Sequence, residues 1–275
     1  LEGENPIVMV KLGRSAAGQA AAQSHTGALA SDDAVFEAVC EKYGVVRAYS
    51  LDEMIDICLV LNQRRWAKGP NIGMAGYSGG GKGLFLDYAA DEGAVMGTVG
   101  ADSVATVEEL IDYGLSGQNP VDCGAGIASR LKDVTKVCLT LANDPGIDVF
   151  AMQGQLPTTP DDPTDHTIFS DVVAGTDKPV IAYTRVSQNV TPDGLAFQAK
   201  AGMPFVQTLP AAVRSLQALI RYSAARDRGV VALPEAAGER ASLDGAAFQA
   251  LLGKSGLTPP ASAMGATATE AAAEA

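Results

Sequence analysis

The sequence predicts an α/β protein built on parallel sheets, and three observations point there. Apolar, β-branched runs recur at 6–13 (PIVMVKLG), 71–78 (NIGMAGYS), 146–156 (GIDVFAMQGQL) and 178–186 (KPVIAYTRV). Segments with helical periodicity separate them, the spacing of βαβ units. A glycine cluster, GGGKG at 79–83, stands where a strand turns into a helix.

Taken in order, PIVMVKLG ends in glycine and reads as a buried strand of a parallel sheet. Residues 14–30 are mostly Ala, Gly, Ser and Gln, which predicts a loop or weak helix around His25. Ser31 is placed to cap a helix through Asp32 and Asp33. Val35, Phe36, Val39, Cys40 and Tyr43 share one face of it, and Gly44 stops it. Ser50 and Glu53 make a capping box for a second helix, with Met54, Ile57, Cys58 and Leu61 inward. RRWAKGP at 64–70 reads as a linker.

From Asn71 the expected elements are strand NIGMAGYS, turn GGGKG, helix LFLDYAADEG ended by Gly93, and strand AVMGTVG. TVEELIDYG at 106–114 reads as a helix opened by a Thr106–Glu109 capping box. NPVD at 119–122 is a turn, and SRLKDVTKVCLTLAND an amphipathic helix before GIDVFAMQGQL. DDPTDHT at 161–167 is a polar loop. Strands KPVIAYTRV and PFVQT follow, then the long helix LPAAVRSLQALIRYSAARD. GVVALPEAAGER at 229–240 reads as an interdomain linker and SLDGAAFQALLGKSGL as one helix. The Ala/Thr/Glu-rich stretch 258–275 reads as a disordered tail or the first elements of a further domain.

The formal net charge of −12 disfavours nucleic acid and anionic membranes as partners. It leaves room for a small anionic ligand held by local dipoles. No apolar run reaches the ~20 residues that span a bilayer, and no leader pattern opens the chain. Leu1 in place of Met predicts a start inside a longer or trimmed gene product. Cys40, Cys58, Cys123 and Cys138 form no CxxC pair and read as buried free thiols in a reducing cytoplasm. With two histidines far apart, a zinc site is not expected.

Three places carry candidate chemistry. GYSGGGKG (76–83) has the glycines to turn backbone N–H groups toward an anion at a helix N-terminus. It approaches the phosphate loop GxxxxGK[ST], but Gly83 stands where a magnesium-ligating hydroxyl belongs. The same letters read as G-x-S-x-G make Ser78 a serine-hydrolase nucleophile, with Asp161, Asp162 or Asp165 and then His166 completing the order. The third place is His25 in AAAQSHTGALASDD, whose small neighbours leave room for a phosphoryl group on the ring.

The run KLGRSAAGQAAAQSHTGALASDDAVFEAVCEKYGVVRAYSLDEMID (11–56) resembles the phosphohistidine segment of NDP-forming acyl-CoA synthetases, relatives of succinyl-CoA synthetase. The family pattern is K-x-G-R-[ST], a small-residue stretch, S-H-T-G-[AS]-L-A-[GS], a helix and G-V-x-R. Ser31 stands where the family often has Gly. NIGMAGYSGGGKG, NPVD, KPVIAYTRV and AGMPFVQTLPAAVRSLQALIRY are similar to the next ligase subdomain, and 242–275 to the opening of an ATP-grasp domain.

The resemblance implies flavodoxin-like or Rossmann-like CoA-ligase subdomains. It places the end of the first at 1–67, the second at 68–228, a linker at 229–241 and a truncated ATP-grasp start at 242–275. It implies formation of acyl-CoA from a carboxylic acid, CoA and ATP, through an acyl phosphate and a phosphohistidine at His25. Ser24, Thr26 and Gly27 would frame that histidine. Ser78, Gly79, Gly80, Gly81, Lys82 and Gly83 would meet its phosphoryl group, and Asn119, Pro120 and Asp122 the substrate.

A family glutamate orients the histidine from a Y-[LI]-E-G turn. LEG at 1–3 supplies Glu2, at a shorter distance from the following strand than that pattern has. CoA, ATP/ADP and Mg²⁺ would serve the complete, cytoplasmic, homo-oligomeric enzyme. The CoA-binding domain and most of the ATP-grasp domain would lie elsewhere, leaving this chain inactive alone. The alternatives are the Ser78 hydrolase and a non-catalytic CoA-ester-binding subunit.

Overall fold

The computed structural model describes residues 5–26, 32–159, 161–229, 245–254 and 256. Contacts divide the chain into two compact units, Leu1–Val231 and Ala232–Ala275. In the second unit, helix α10 spans Gly245–Lys254.

The first unit opens with β1 (Val8–Val10), α1 (Ala16–Thr26), α2 (Asp33–Tyr43), β2 (Val46–Ala48) and α3 (Leu51–Leu61). β1 and β2 pair in parallel, Val8 opposite Val46 and Val10 opposite Ala48. PIVMVKLG is therefore a three-residue strand rather than a long buried one. Only the face of Val8, Val10, Val46 and Ala48 packs on the core, while Ile7 and Met9 stay 40% and 41% exposed. The Ala-rich stretch around His25 is the helix α1, in keeping with alanine's intrinsic preference.

α2 is capped by Asp32, whose side chain accepts from the amides of Ala34 and Val35; Ser31 lies outside the described residues. Gly44 ends α2 with φ +66°, a left-handed turn that glycine adopts without strain. On α2, Cys40 is buried but Val35 and Val39 are exposed. Ser50 caps α3 by accepting from the Glu53 amide, while the Glu53 carboxylate accepts from Tyr49 N–H, one residue earlier than a capping box requires. Cys58 is exposed, and Val60 takes the inward position expected of it.

Residues 64–70 are pinned rather than a loose linker. Arg65 donates to the carbonyls of Thr176 and Val173, Trp66 packs against Tyr222, and Ala67 N–H donates to Ser223 Oγ.

The larger sheet contains β3 (Asn71–Gly76), β4 (Val95–Met96), β5 (Val121–Asp122), β6 (Val149–Gln153), β7 (Val180–Tyr183) and β8 (Phe205–Val206). Its order is β4-β3-β6-β7-β8, all parallel, with β5 also on β3. Counted from β3 and setting β5 aside, this is 2-1-3-4-5, the doubly wound order with a switch point between β3 and β6. The helices are α4 (Gly79–Asp91), α5 (Ala101–Glu108), α6 (Leu131–Asn143), α7 (Thr167–Ala174), α8 (Pro192–Ala201) and α9 (Leu209–Arg228).

Alternation along the strands sorts the two cores. Phe150, Met152, Val180 and Ala182 join Val107, Val137, Leu141 and Phe197 on one face. Val149, Ala151, Ile181 and Tyr183 join Phe85, Leu216 and Leu219 on the other. Ile57, Val60, Leu61, Val46 and Ala48 belong to this second cluster, so α3 and β2 share one core with the larger sheet.

Several expectations shift. GGGKG is already the first turn of α4. AVMGTVG contributes only the two residues of β4. Thr106 lies inside α5 rather than capping a helix, and its hydroxyl donates to the Asp102 carbonyl. α7 and α8 are additional helices. Thr191 caps α8, with Pro192 in its first turn.

One titration follows from α3. Burial, with Asp52 and Glu53 nearby, pushes the Asp56 carboxyl up to about 6. The folded chain thus holds a proton there that the unfolded chain has released. Stability falls as pH rises from about 4 through 6, and the deficit persists above. Asp56→Asn is expected to stabilise the chain at pH 7.5 by about 1 kcal/mol, after discounting for solvent screening. The gain shrinks at pH 5, which thermal melts at the two pH values check.

Candidate active site at the carboxyl edge of the sheet

In open α/β sheets ligands bind beyond the carboxyl ends of the strands, at the switch point. Here that point is the end of β3, where Tyr77 and Ser78 lead into α4. Ser78 is the N-cap, with extended backbone (φ −159°, ψ 125°) and its Oγ accepting from Gly81 N–H at 3.4 Å. Lys82 N–H donates to the Ser78 carbonyl at 2.9 Å and closes the first turn.

The Gly79 and Gly80 amides have no acceptor among the described residues, as first-turn amides do not within a helix. Both residues are exposed. Glycine is costly inside a helix but cheap in this turn, where its bare backbone lets a ligand approach.

The neighbours come from three other strands. At Gly76 a Cβ would stand 2.9 Å from Tyr183 Oη and 3.2 Å from Gln153 Oε1, so β3 needs glycine at this close approach. Gln153 Oε1 accepts from Tyr77 N–H at 3.3 Å. An added Cβ on Gly79 would lie 3.2 Å from Asp122 Oδ2, and one on Gly81 would lie 3.5 Å from Arg185 Cδ. Gln153 and Arg185 thus border the start of α4, although sequence reasoning did not single them out. Their signal was position, at the ends of β6 and β7, and it becomes readable only once the strand order is known. Arg185 is exposed and makes no ion pair among the described residues. Gly83 has open space around it.

Of the NPVD residues, Asp122 sits beside the α4 start, and the Asn119 side chain is bonded to the sheet edge. Its Oδ1 accepts from Met74 N–H at 2.8 Å, and its Nδ2 donates to the carbonyls of Ile72 and Gly97, each at 2.8 Å. The side chain fills the gap between β4 and β5 along the edge of β3. Pro120 is buried beside it and follows a cis peptide bond.

His25 lies in the last turn of α1. The side chains of His25 and Thr26 lie outside the described residues, as do Glu2 and Gly27. Ser24 Oγ donates to the Ala21 carbonyl within α1. Leading into α1, Lys11 donates to the Gly13 carbonyl and pairs with Asp33 at 3.7 Å. The Arg14 guanidinium lies 4.9 Å from the Tyr49 ring centre.

The hydrolase arrangement does not form. The extended backbone of Ser78 lacks the strained turn of a nucleophile elbow. No hydrogen bond joins it to His166, whose ring packs edge-on to Phe197 with centroids 6.0 Å apart. Asp162 accepts from Thr164 and Asp165 from the Thr167 amide, which hold both carboxyls below their ordinary range; Asp161 is exposed. Cys123 is no nucleophile either, since burial pushes its thiol up to about 12. Among the described residues, no group of three or more His, Cys, Asp or Glu could hold a metal ion.

Residues 1–61 match the family described as "Succinyl-CoA ligase like flavodoxin domain". An ADP-forming acetate–CoA ligase II of Archaeoglobus fulgidus is 35% identical over 119 residues, 43% of this chain and 18% of that protein. The alpha subunit of an ADP-forming acetate–CoA ligase II of Pyrococcus furiosus is 27% identical over 183 residues, 65% of this chain and 39% of its own length. The structure of an acetyl-coenzyme A synthetase from Ca. Korarchaeum cryptofilum, in complex with phosphate and ADP, superposes with a TM-score of 0.66 at 22% identity. The match covers 81% of this chain and 48% of that one. The chain spans less than half the length of each of these proteins. The chain is thus similar to part of ADP-forming acetate–CoA ligases, and its residues 1–61 match the succinyl-CoA ligase like flavodoxin domain.

Proposed function

We propose that this chain is the phosphoryl-handling part of an ADP-forming acid–thiol ligase. One observation carries the reading. The start of α4 offers two unpartnered glycine amides at the switch point of the sheet, where a helix N-terminus favours an anion. Relatives that are ADP-forming acetate–CoA ligases support it.

In this reading His25 takes the phosphoryl group of ATP, and ADP leaves. Transfer to a carboxylate breaks the N–P bond and forms an acyl phosphate. The CoA thiol then attacks the acyl carbon, giving acyl-CoA and phosphate. Ser24, Thr26 and Gly27 frame His25, and Glu2 orients its ring. Ser78 to Gly83 receive the phosphoryl group while Asp122 borders the substrate side. The division at 1–67, 68–228, 229–241 and 242–275 belongs to the same reading. So do a cytoplasmic homo-oligomer and an ATP-grasp domain, CoA site and Mg²⁺ supplied by polypeptide outside this chain. The greater length of the relatives supports that division of labour.

The test uses the protein that carries this chain together with CoA- and nucleotide-binding segments like those of its relatives. With γ-labelled ATP it is expected to gain an acid-labile, base-stable phosphoryl group, and His25→Ala is expected to lose both label and ligation. A His25→Ala protein that labels and ligates normally overturns the proposal. A wild type that never labels favours a CoA-ester-binding subunit.

A further inference from the structure

A cavity of about 830 Å³ lies between α9 and the elements α2, β2 and α3. Five arginines line it: Arg14 before α1, Arg47 on β2, and Arg214, Arg221 and Arg228 on α9. The last three recur every seven residues, which keeps them on one stripe of the helix. In a chain of net charge −12 this is a local reversal of sign.

Four glutamates also line the cavity, and three are already engaged. Glu37 pairs with Arg47, Glu92 pairs with Arg214, and Glu53 accepts from the Tyr49 amide. Arg228 donates to the Glu41 carbonyl rather than to its carboxylate. Arg14 and Arg221 make no ion pair among the described residues. Both act on Tyr49 together with Arg47, and the Arg14 and Arg47 guanidiniums lie 4.9 and 4.8 Å from its ring centre. Arg47 Nε is buried with no hydrogen-bond partner. Tyr222, Ile57 and Ala218 add an apolar wall.

We propose that this cavity binds a small phosphate-bearing metabolite, its anion held by Arg14 and Arg221 and its organic body against Tyr222 and Ile57. The volume suits such a ligand, and paired guanidiniums suit phosphate oxygens. The cavity is separate from the α4 start. Glu92, at the far end of α4, lines it, and 13 helical residues rise about 20 Å. Because Arg14 precedes α1, a ligand here ties the root of the His25 segment to α9.

The chain's single tryptophan, Trp66, packs at a tilt against the cavity residue Tyr222 with ring centroids 5.1 Å apart, so its fluorescence reports on this place. Titration of the chain with inorganic pyrophosphate at constant ionic strength is expected to give a saturable Trp66 change. Arg221→Ala is expected to weaken it about tenfold or more, the scale of one charge-assisted contact. Arg221→Lys should keep part of the affinity, and Ser78→Ala should titrate as wild type. Arg221 is exposed, so its variants should melt as the wild type does. No saturable change, or an unchanged titration in Arg221→Ala, overturns the proposal. Loss of the signal in Ser78→Ala also overturns it, by placing the anion at α4.

Discussion

Asn119→Ala is expected to destabilise the chain by about 3 kcal/mol, seen as a lower urea midpoint with an unchanged slope. β3 is bordered on one side by two short strands. β4 pairs with Asn71 and Ile72, and β5 with Ala75 and Gly76. Met74 N–H, between them, donates to the Asn119 side chain. Met74 is 1% exposed, so water does not replace that acceptor cheaply. Asn119 Nδ2 in turn donates to the carbonyls of Ile72 and Gly97. Alanine removes all three bonds. Asn119→Asp keeps the shape but directs oxygen lone pairs at two carbonyls, so its loss should be larger than that of alanine. A loss below about 0.5 kcal/mol in both variants would show that the amide does not hold the sheet edge.

Arg47→Met is expected to cost about 2–3 kcal/mol. The Arg47 side chain is 5% exposed and makes a fork on Asp33, with Nη2 at 2.6 and 2.8 Å from its two oxygens. Nη1 donates to Glu37, and the guanidinium lies over the rings of Phe36 and Tyr49. Burial works against its charge, but the bonds to Asp33 and Glu37 outweigh it and hold the group ionised. Removing one partner of a buried pair usually costs 3–5 kcal/mol, about. The loss here is smaller because Asp33 and Glu37 are each a third exposed and can be rehydrated. Arg47→Lys should recover only part, since one ammonium cannot span Asp33 and Glu37 as Nη2 and Nη1 do, or reproduce the stacking.

The pH dependence has a definite sign. The hydrogen bond from Arg47 holds the Asp33 carboxyl below its ordinary value. That contribution is full above the ordinary carboxylate range and is lost as pH falls through the lowered value. Wild type and Arg47→Met should therefore differ most near neutral pH and converge in acid, as denaturation at a series of pH values would show.

Helices with local signals were legible as sequence. Gly44 stops α2, Ser50 caps α3, and the apolar stripes of α6 and α9 face the cores as their periodicity predicts. α7 and α8 were missed, although Thr191 and Pro192 formed a readable cap for the latter. The Thr106–Glu109 pattern spells a capping box, but Thr106 lies inside α5, which already starts at Ala101 and buries Val107 in the core. β4 and β5 are too short to carry a period of their own.

The glycine cluster at 79–83 and the acid at 122 were visible as candidates without structure. Gln153 and Arg185 were not, because nothing in a linear chain says that residues 153 and 185 end strands beside residue 76. By itself the sequence determined the alternation of strands and helices, the Ser50 cap of α3, the Gly44 stop of α2, and the glycine cluster where a strand turns into a helix. Those depend on neighbours within a few positions, where backbone geometry and period decide. The tertiary structure alone decided that Asn119 ties the sheet edge together, that Ser78 caps α4, and that arginines 14, 47 and 221 meet around one tyrosine. Each of these rests on contacts between segments far apart in the chain, set by the strand order and by how the two cores pack.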